Sequence, residues 1–221
     1  MPVFNTIFWD WNGTLLDDVD ECIDIINVSL RKRSLNLLDR EEYLEKFTFP
    51  IKKYYENIGF DFTRESYEAA GQEYIDAYGS RMFECKLHSG ARSVLDRFRS
   101  TGTRQFVLSA LYDQALHQCI SHFRLDGYFD KVRGLDNSYA HSKVELGCNL
   151  IAECGCDKNR ALMVGDTLHD FDTADAMGIP CVLIAAGHNS KKRLLACGVP
   201  VFDSIEEFAG SFDKLPELLK R

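Results

Sequence analysis

The sequence has no apolar run approaching the roughly 20 residues that a membrane-spanning helix needs. Its first residues lack the pattern of a secretory signal. It has no basic stripe either. Lys and Arg number 26 against 34 Asp and Glu, giving a net charge of −8 and a pI near 5.3. That balance argues against nucleic acid and against an anionic membrane surface as partners. An anionic substrate would have to find positive charge that is local. The eight cysteines are scattered, and Cys154-Gly155-Cys156 has no second Cys or His pair at zinc spacing. A reduced, cytoplasmic protein is the expectation. Internal repeats and low-complexity tracts are missing, and nothing fixes an oligomeric state.

What is present is enough apolar sequence, 45% of 221 residues, for a real core. Residues 3–9 form a short apolar run rich in strand formers, which predicts a buried strand. From Asp18 to Arg33, Val19, Cys22, Ile23, Ile26 and Leu30 recur at helical spacing. Residues 39–83 continue as helical pieces (41–47, 51–58 and 64–82), broken at Phe49-Pro50 and Gly59, with no buried-strand pattern. From Gly90 onward the texture changes. The runs 104–110, 128–134, 161–166, 180–186 and 200–204 predict strands, with helices at 91–98, 114–122 and 143–154 between them. Short apolar strands alternating with helices mean an α/β fold: a doubly wound, Rossmann-like parallel sheet carrying a helical insertion. The expected core comprises residues 1–16 and 85–221, and the expected insertion is 17–84.

Ligands of open α/β sheets bind at the carboxyl ends of strands. Three predicted strands end on polar residues: Asp10, Ser109 and Asp166. Asp170 lies one helical turn beyond Asp166, and Lys143 opens the helix before that strand. Clustered carboxylates are costly when nothing compensates them. Two like charges 4 Å apart repel by about 4 kcal/mol at an effective dielectric near 20. A divalent cation removes that cost, and an all-oxygen donor set with room for water and a phosphate oxygen suits Mg²⁺. Ser109 and Lys143 can hold phosphate oxygens. A carboxylate beside a metal-bound phosphoryl group can attack it in line.

The stretches "DWNGTLLDD" (10–18), "VLSA" (107–110), Lys143 and "VGDTLHDFDTADAMGIP" (164–180) resemble, in order, the four motifs of the haloacid dehalogenase superfamily. The resemblance spans essentially the whole chain and looks most like its phosphoglycolate-phosphatase-like members. It implies that residues 17–84 are a type-1 helical cap domain. It implies that Asp10 is the nucleophile and a Mg²⁺ ligand, with the Asn12 backbone carbonyl, Asp166 and Asp170 completing the protein ligands. Ser109, with Ala110 beside it, and Lys143 would hold the phosphoryl group of a small phosphorylated metabolite. Within the cap, Lys52 is a candidate contact for an anionic substrate.

Three positions depart from the family pattern. Ala110 stands where Asn is common and Val144 where Pro often follows the lysine. Asn12 stands where phosphatases of the family usually carry an acid/base Asp, and an amide cannot exchange a proton usefully. Three explanations of Asn12 stay open: a phosphatase whose leaving group needs little acid help, a catalytically weakened phosphate-binding or sensing protein, or an introduced substitution. The first predicts that Asn12→Asp raises turnover of alkyl phosphates. The acids at 17 and 18 are expected to start the first insertion helix, where they favour its dipole.

Overall fold

The apolar run near the start folds as the pattern predicts, into a buried strand, β1 (Thr6–Trp9). Its side chains alternate between two cores. Ile7 and Trp9 enter one, and Phe8 enters the other with Phe106 and Met163. A strand apolar on both faces belongs in the middle of a covered sheet, and β1 is found there. The computed structural model describes residues 4–136 and 143–219. Among them the main sheet has six parallel strands. Its order is β5 (Lys131–Leu135), β4 (Arg104–Tyr112), β1, β6 (Ala161–Gly165), β7 (Cys181–Ile184) and β8 (Val201–Phe202).

Helices cover both faces. On the Trp9 side, α5 (Ala91–Ser100), α6 (Asp113–His122) and α10 (Ile205–Ser211) contribute Leu95, Phe98, Leu116, Ile120 and Phe208. On the Phe8 side, α7 (Lys143–Cys154), α8 (Leu168–Met177) and α9 (Lys191–Leu195) contribute Leu146, Leu150, Met177 and Leu194. A final short helix, α11 (Leu215–Leu218), buries Leu215 against the Trp9 side. This is the doubly wound arrangement expected from the alternating pattern.

Between β1 and α5 the chain leaves the sheet through a two-stranded antiparallel ribbon, β2 (Leu16–Asp17) and β3 (Lys86–Leu87). The helical insertion lies between the two ribbon strands: α1 (Val19–Lys32), α2 (Arg40–Lys46), α3 (Ile51–Asn57) and α4 (Tyr67–Arg81). The starts of α2 and α4 are capped by Asp39 and Ser66, which accept from the amides of Glu42 and Ala69. An aromatic set of Tyr55, Phe60, Phe62 and Tyr67 fills the insertion's own core, with Tyr55 and Phe60 stacked at 4.7 Å. The insertion is also tied to the sheet. Arg193 donates to the carbonyls of Leu44 and Phe47 at 2.8 and 2.6 Å, and Asn189 donates to Phe47 at 3.0 Å.

Two local details differ from the sequence expectation. β4 does not stop near Ser109 but runs on to Tyr112, with its register against β5 shifting between Leu108 and Tyr112. Ala110, Leu111 and Tyr112 are compatible with a strand, and Leu135 of β5 is there to pair with Tyr112. The ribbon is too short to show periodicity and was not foreseen. Among the described residues no helix is long and apolar enough to cross a membrane.

Trp9 is fully buried, and its indole Nε1 donates to the Gln105 side chain at 3.1 Å. Trp9→Phe keeps an aromatic ring but strands a buried acceptor. It is expected to cost about 1–3 kcal/mol in urea denaturation; an unchanged midpoint would contradict this.

Candidate active site at the carboxyl edge of the sheet

Because β4, β1 and β6 are neighbours, residues at or just past their ends share one edge. Asp10 follows β1 directly, and its amide donates to Val164 of β6 at 2.9 Å. Asp166 follows β6, and Asp170 lies in the first turn of α8. Carboxylate oxygens of these three acids lie within 4.8 Å of one another, all buried. Lys143, the first residue of α7, reaches in from the Phe8 side. Its ammonium bonds both Asp10 Oδ1 and Asp170 Oδ1 and is 3% exposed. The lysine that opens the helix before β6 is thus brought to the cluster of acids.

Both oxygens of Asp166 and the second oxygen of Asp170 are held by donors. Asp166 accepts from the Thr14 hydroxyl at 2.7 Å and the His188 amide at 2.6 Å. Asp170 Oδ2 accepts from the amide and hydroxyl of Thr167 at 2.9 and 2.6 Å, closing a capping box at the start of α8. Backbone approaches this closely only through glycine. A Cβ on Gly187 would sit 2.1 Å from Asp166 Oδ2, and one on Gly13 2.4 Å from the same atom. Gly13 also adopts φ +76°, which bends the turn after Asp10.

Three carboxylates and one ammonium leave two negative charges if every acid is ionised. Burial is the main force pushing the Asp10 carboxyl well above its ordinary range, helped by Asp170 and Asp166 and opposed by Lys143. Burial also raises Asp166, with Asp170 adding to it. For Asp170 burial acts the same way, but the charge and hydrogen bond of Lys143 outweigh it and hold the group low. Burial would lower the Lys143 ammonium, yet its two acid partners keep it raised. An all-oxygen pocket short of two positive charges fits a hard divalent cation such as Mg²⁺.

A second polar cluster adjoins the first, and sequence reading largely missed it. Asp18 does start α1, as expected, but its carboxylate has a further role. It sits at the helix N-cap position but makes no side-chain cap bond, and it is buried with five donors around it. Oδ1 accepts from the Gly13 amide at 2.9 Å and faces His188 Nε2 at 3.2 Å. Oδ2 accepts from the Asn12 amide at 2.7 Å, the Tyr78 hydroxyl at 2.7 Å and the Cys22 thiol at 3.6 Å. The other ring nitrogen of His188 meets the Tyr43 hydroxyl at 2.9 Å. Asp17, by contrast, is exposed in β2. The available signal for His188 was its place in "AAGHN", just past a buried strand, where Asp10 and Asp166 also stand.

Of the other candidates, Ser109 is buried on β4, and its Oγ accepts from the Leu111 amide at 3.0 Å. Ala110 follows it, half-buried. Asn12 is at the site, with its side chain turned to Asp18 and Tyr78. Lys52, the candidate substrate contact, has its described contacts within the insertion. It is exposed, and its ammonium lies 5.9 Å from the ring centres of Phe62 and Tyr67. A cation beside aromatic faces is favoured there, so its neighbours in the insertion compete for it. His169 stacks on Phe49 of the insertion at 4.5 Å.

Comparison with known proteins places this edge in a family. The model of the haloacid dehalogenase-like hydrolases matches residues 7–184, and the chain belongs to that family. It is 25% identical over 202 residues to a 5'-nucleotidase of Pseudomonas aeruginosa, covering 87% of this chain and 88% of that one. It is 26% identical to a phosphoglycolate phosphatase of Mesorhizobium japonicum, covering 84% of each. Its fold matches a crystal structure described as a predicted phosphatase from Clostridium acetobutylicum. There the TM-score is 0.81 at 21% identity, over 96% of this chain and all of that one.

The His188–Asp18 contact predicts a pH effect. Burial would lower the imidazole, but the Asp18 charge and hydrogen bond raise it from 6.5 to about 9. Asp18 is correspondingly lowered: burial opposes this, and the His188 charge overcomes it. For a raised histidine the stabilisation is complete below its unfolded value, falls between about 6.5 and 9, and is gone above. In chelator-treated protein, the stability gap between wild type and His188→Gln is expected to narrow by about 3 kcal/mol between roughly pH 6 and pH 9.5. A gap that does not change with pH, read by urea denaturation, would refute the ion pair.

Proposed function

We propose that the chain is a Mg²⁺-dependent phosphatase of small phosphorylated metabolites, with residues 17–84 acting as a cap domain over the site. The observation that carries this is the buried cluster of Asp10, Asp166 and Asp170 bridged by Lys143. Family membership and the phosphatase names of the relatives support the same reaction class. Asp10, Asp166, Asp170 and the Asn12 carbonyl would hold the cation. When bound, Mg²⁺ supplies the positive charge that the three carboxylates and a phosphoryl group require.

Asp10 is the nucleophile in this reading. Its carboxylate forms a bond to phosphorus as the bond to the leaving oxygen breaks, giving an aspartyl-phosphate on Asp10 and an alkoxide or carboxylate product. Water then attacks phosphorus, releasing phosphate and restoring the carboxylate. Lys143 moves from holding Asp10 and Asp170 to holding a phosphoryl oxygen, and Ser109 donates to another. Burial by the insertion excludes bulk water while the phosphoenzyme forms.

The weak point is the proton for the leaving group. The Asn12 side chain cannot supply it, and its Nδ2 is already donating to Asp18 and Tyr78. General acid help is worth roughly 10²–10⁴-fold, so its loss slows basic leaving groups most. A phosphate-release screen with and without Mg²⁺ tests the proposal. Acyl phosphates are expected to turn over faster than alkyl phosphates by about 10² or more. Asp10→Ala is expected to abolish release. If wild type binds phosphate esters in Mg²⁺ but releases nothing, the chain is a phosphate-binding or sensing protein instead.

A further inference from the structure

Asn12 is the residue at which this chain departs from the family pattern, and the structure gives its side chain a defined task. Its Nδ2 lies 2.7 Å from Asp18 Oδ2 and 2.5 Å from the Tyr78 hydroxyl. The same hydroxyl donates to Asp18 Oδ2 at 2.7 Å, closing a three-membered ring of hydrogen bonds. Asn12 belongs to the turn after β1, Asp18 to the junction between β2 and α1, and Tyr78 to α4. The ring therefore ties the edge of the sheet to the far end of the insertion. His188 and Tyr43 extend it to the loop after β7 and to α2.

The ring needs a donor at position 12. Asp18 is fully enclosed, and its Oδ2 can only accept. An amide offers two N–H groups, one for each partner. A carboxylate offers none, and it would face the Asp18 carboxylate at hydrogen-bond distance in a buried place. Ionised carboxylates at both position 12 and position 18 are thus incompatible in this closed arrangement.

We propose that Asn12 is a positioning residue matched to Asp18. Its amide locks the α1–α4 side of the insertion closed over the site, and Asn12→Asp alone opens that side. The α2 side is held separately by Asn189 and Arg193. The inference uses the cap reading above but does not depend on turnover. It also changes what Asn12→Asp is expected to do. The substitution that restores an acid at position 12 breaks the lock unless position 18 gives up its charge.

Cys22 reports on the lock. It is 5% exposed, and its thiol lies against Asp18 and within 4.8 Å of a His188 ring nitrogen, so separating α1 from the His188 loop uncovers it. Cys181, 4% exposed on β7, is the internal control. Alkylation by N-ethylmaleimide is followed site by site by peptide mass spectrometry. Each rate is divided by the same cysteine's rate in denaturant, which removes differences in intrinsic thiol reactivity. In Asn12→Asp, Cys22 is expected to label at least about tenfold faster than in wild type, with Cys181 unchanged. The charge-exchanged double variant Asn12→Asp/Asp18→Asn is expected to slow Cys22 labelling at least about threefold relative to Asn12→Asp, short of wild type because an amide at position 18 no longer carries the charge that faces His188. It restores one donor and one acceptor across the pair. Tyr78→Phe, which removes only the hydroxyl, is expected to speed Cys22 labelling without Asp at position 12.

Wild-type labelling of Cys22 in Asn12→Asp overturns the proposal. So does failure of the double variant to recover, or an equal rise at Cys181, which would make Asn12 a support of the whole fold. A chain that releases no phosphate yet shows the expected labelling loses the phosphatase reading and keeps the lock. A chain that turns over normally without the labelling pattern loses the lock alone.

Discussion

Three carboxylates gathered within 4.8 Å at the edge of a buried sheet set the conditions for the rest of the molecule. Such a group is stable only if its surroundings supply protons, donors or positive charge. Each nearby feature meets part of that demand. Lys143 comes from the start of α7 to bridge two of the acids. Backbone amides and two hydroxyls donate to the oxygens of Asp166 and to Asp170 Oδ2. Gly13 and Gly187 let main chain come close enough to Asp166 to do so. What remains is a deficit of positive charge that a cation can meet. The central placement of β1, with β4 and β6 on either side, is what holds the acids together.

Much of this was legible from sequence, for a physical reason. An apolar run that is buried on both faces and then stops at an acid leaves that acid at a sheet edge. "TIFWD" and "ALMVGD" both read that way, and the structure sets Asp10 and Asp166 side by side. Helices with a clear apolar face, such as α1 and α7, were found within a turn of their observed ends. The failures were tertiary. An acid before a helix has a good local explanation, so Asp18 read as a helix start, which it is, and its second role as a buried hub stayed hidden. Lys52 follows a proline in a loop-to-helix step that looks exposed and basic. Nothing local shows that Phe62 and Tyr67 fold back beside it. His188 was visible only as a polar residue past a strand, because its partners Asp18 and Tyr43 are far away in the chain.

Asn12 illustrates the limit of reading a motif one position at a time. Set against a pattern, it is a missing acid. Set among its neighbours, it is a donor between two acceptors, and the acid next to it is Asp18. The two positions make sense as a pair, and no local signal connects them.

The same sheet order has a consequence for how the chain acquires its shape. β1 is made early, yet both of its partners come late: Thr6 pairs with Arg104 on one side and Ala161 on the other. Until Gly165 has been synthesised, this buried strand has an open edge and an unfilled face. Long-range parallel pairing of this kind is slow and exposes aggregation-prone surface. The helical insertion, complete by Arg81, can form during that interval. The insertion can thus be folded before β1 finds either of its partners.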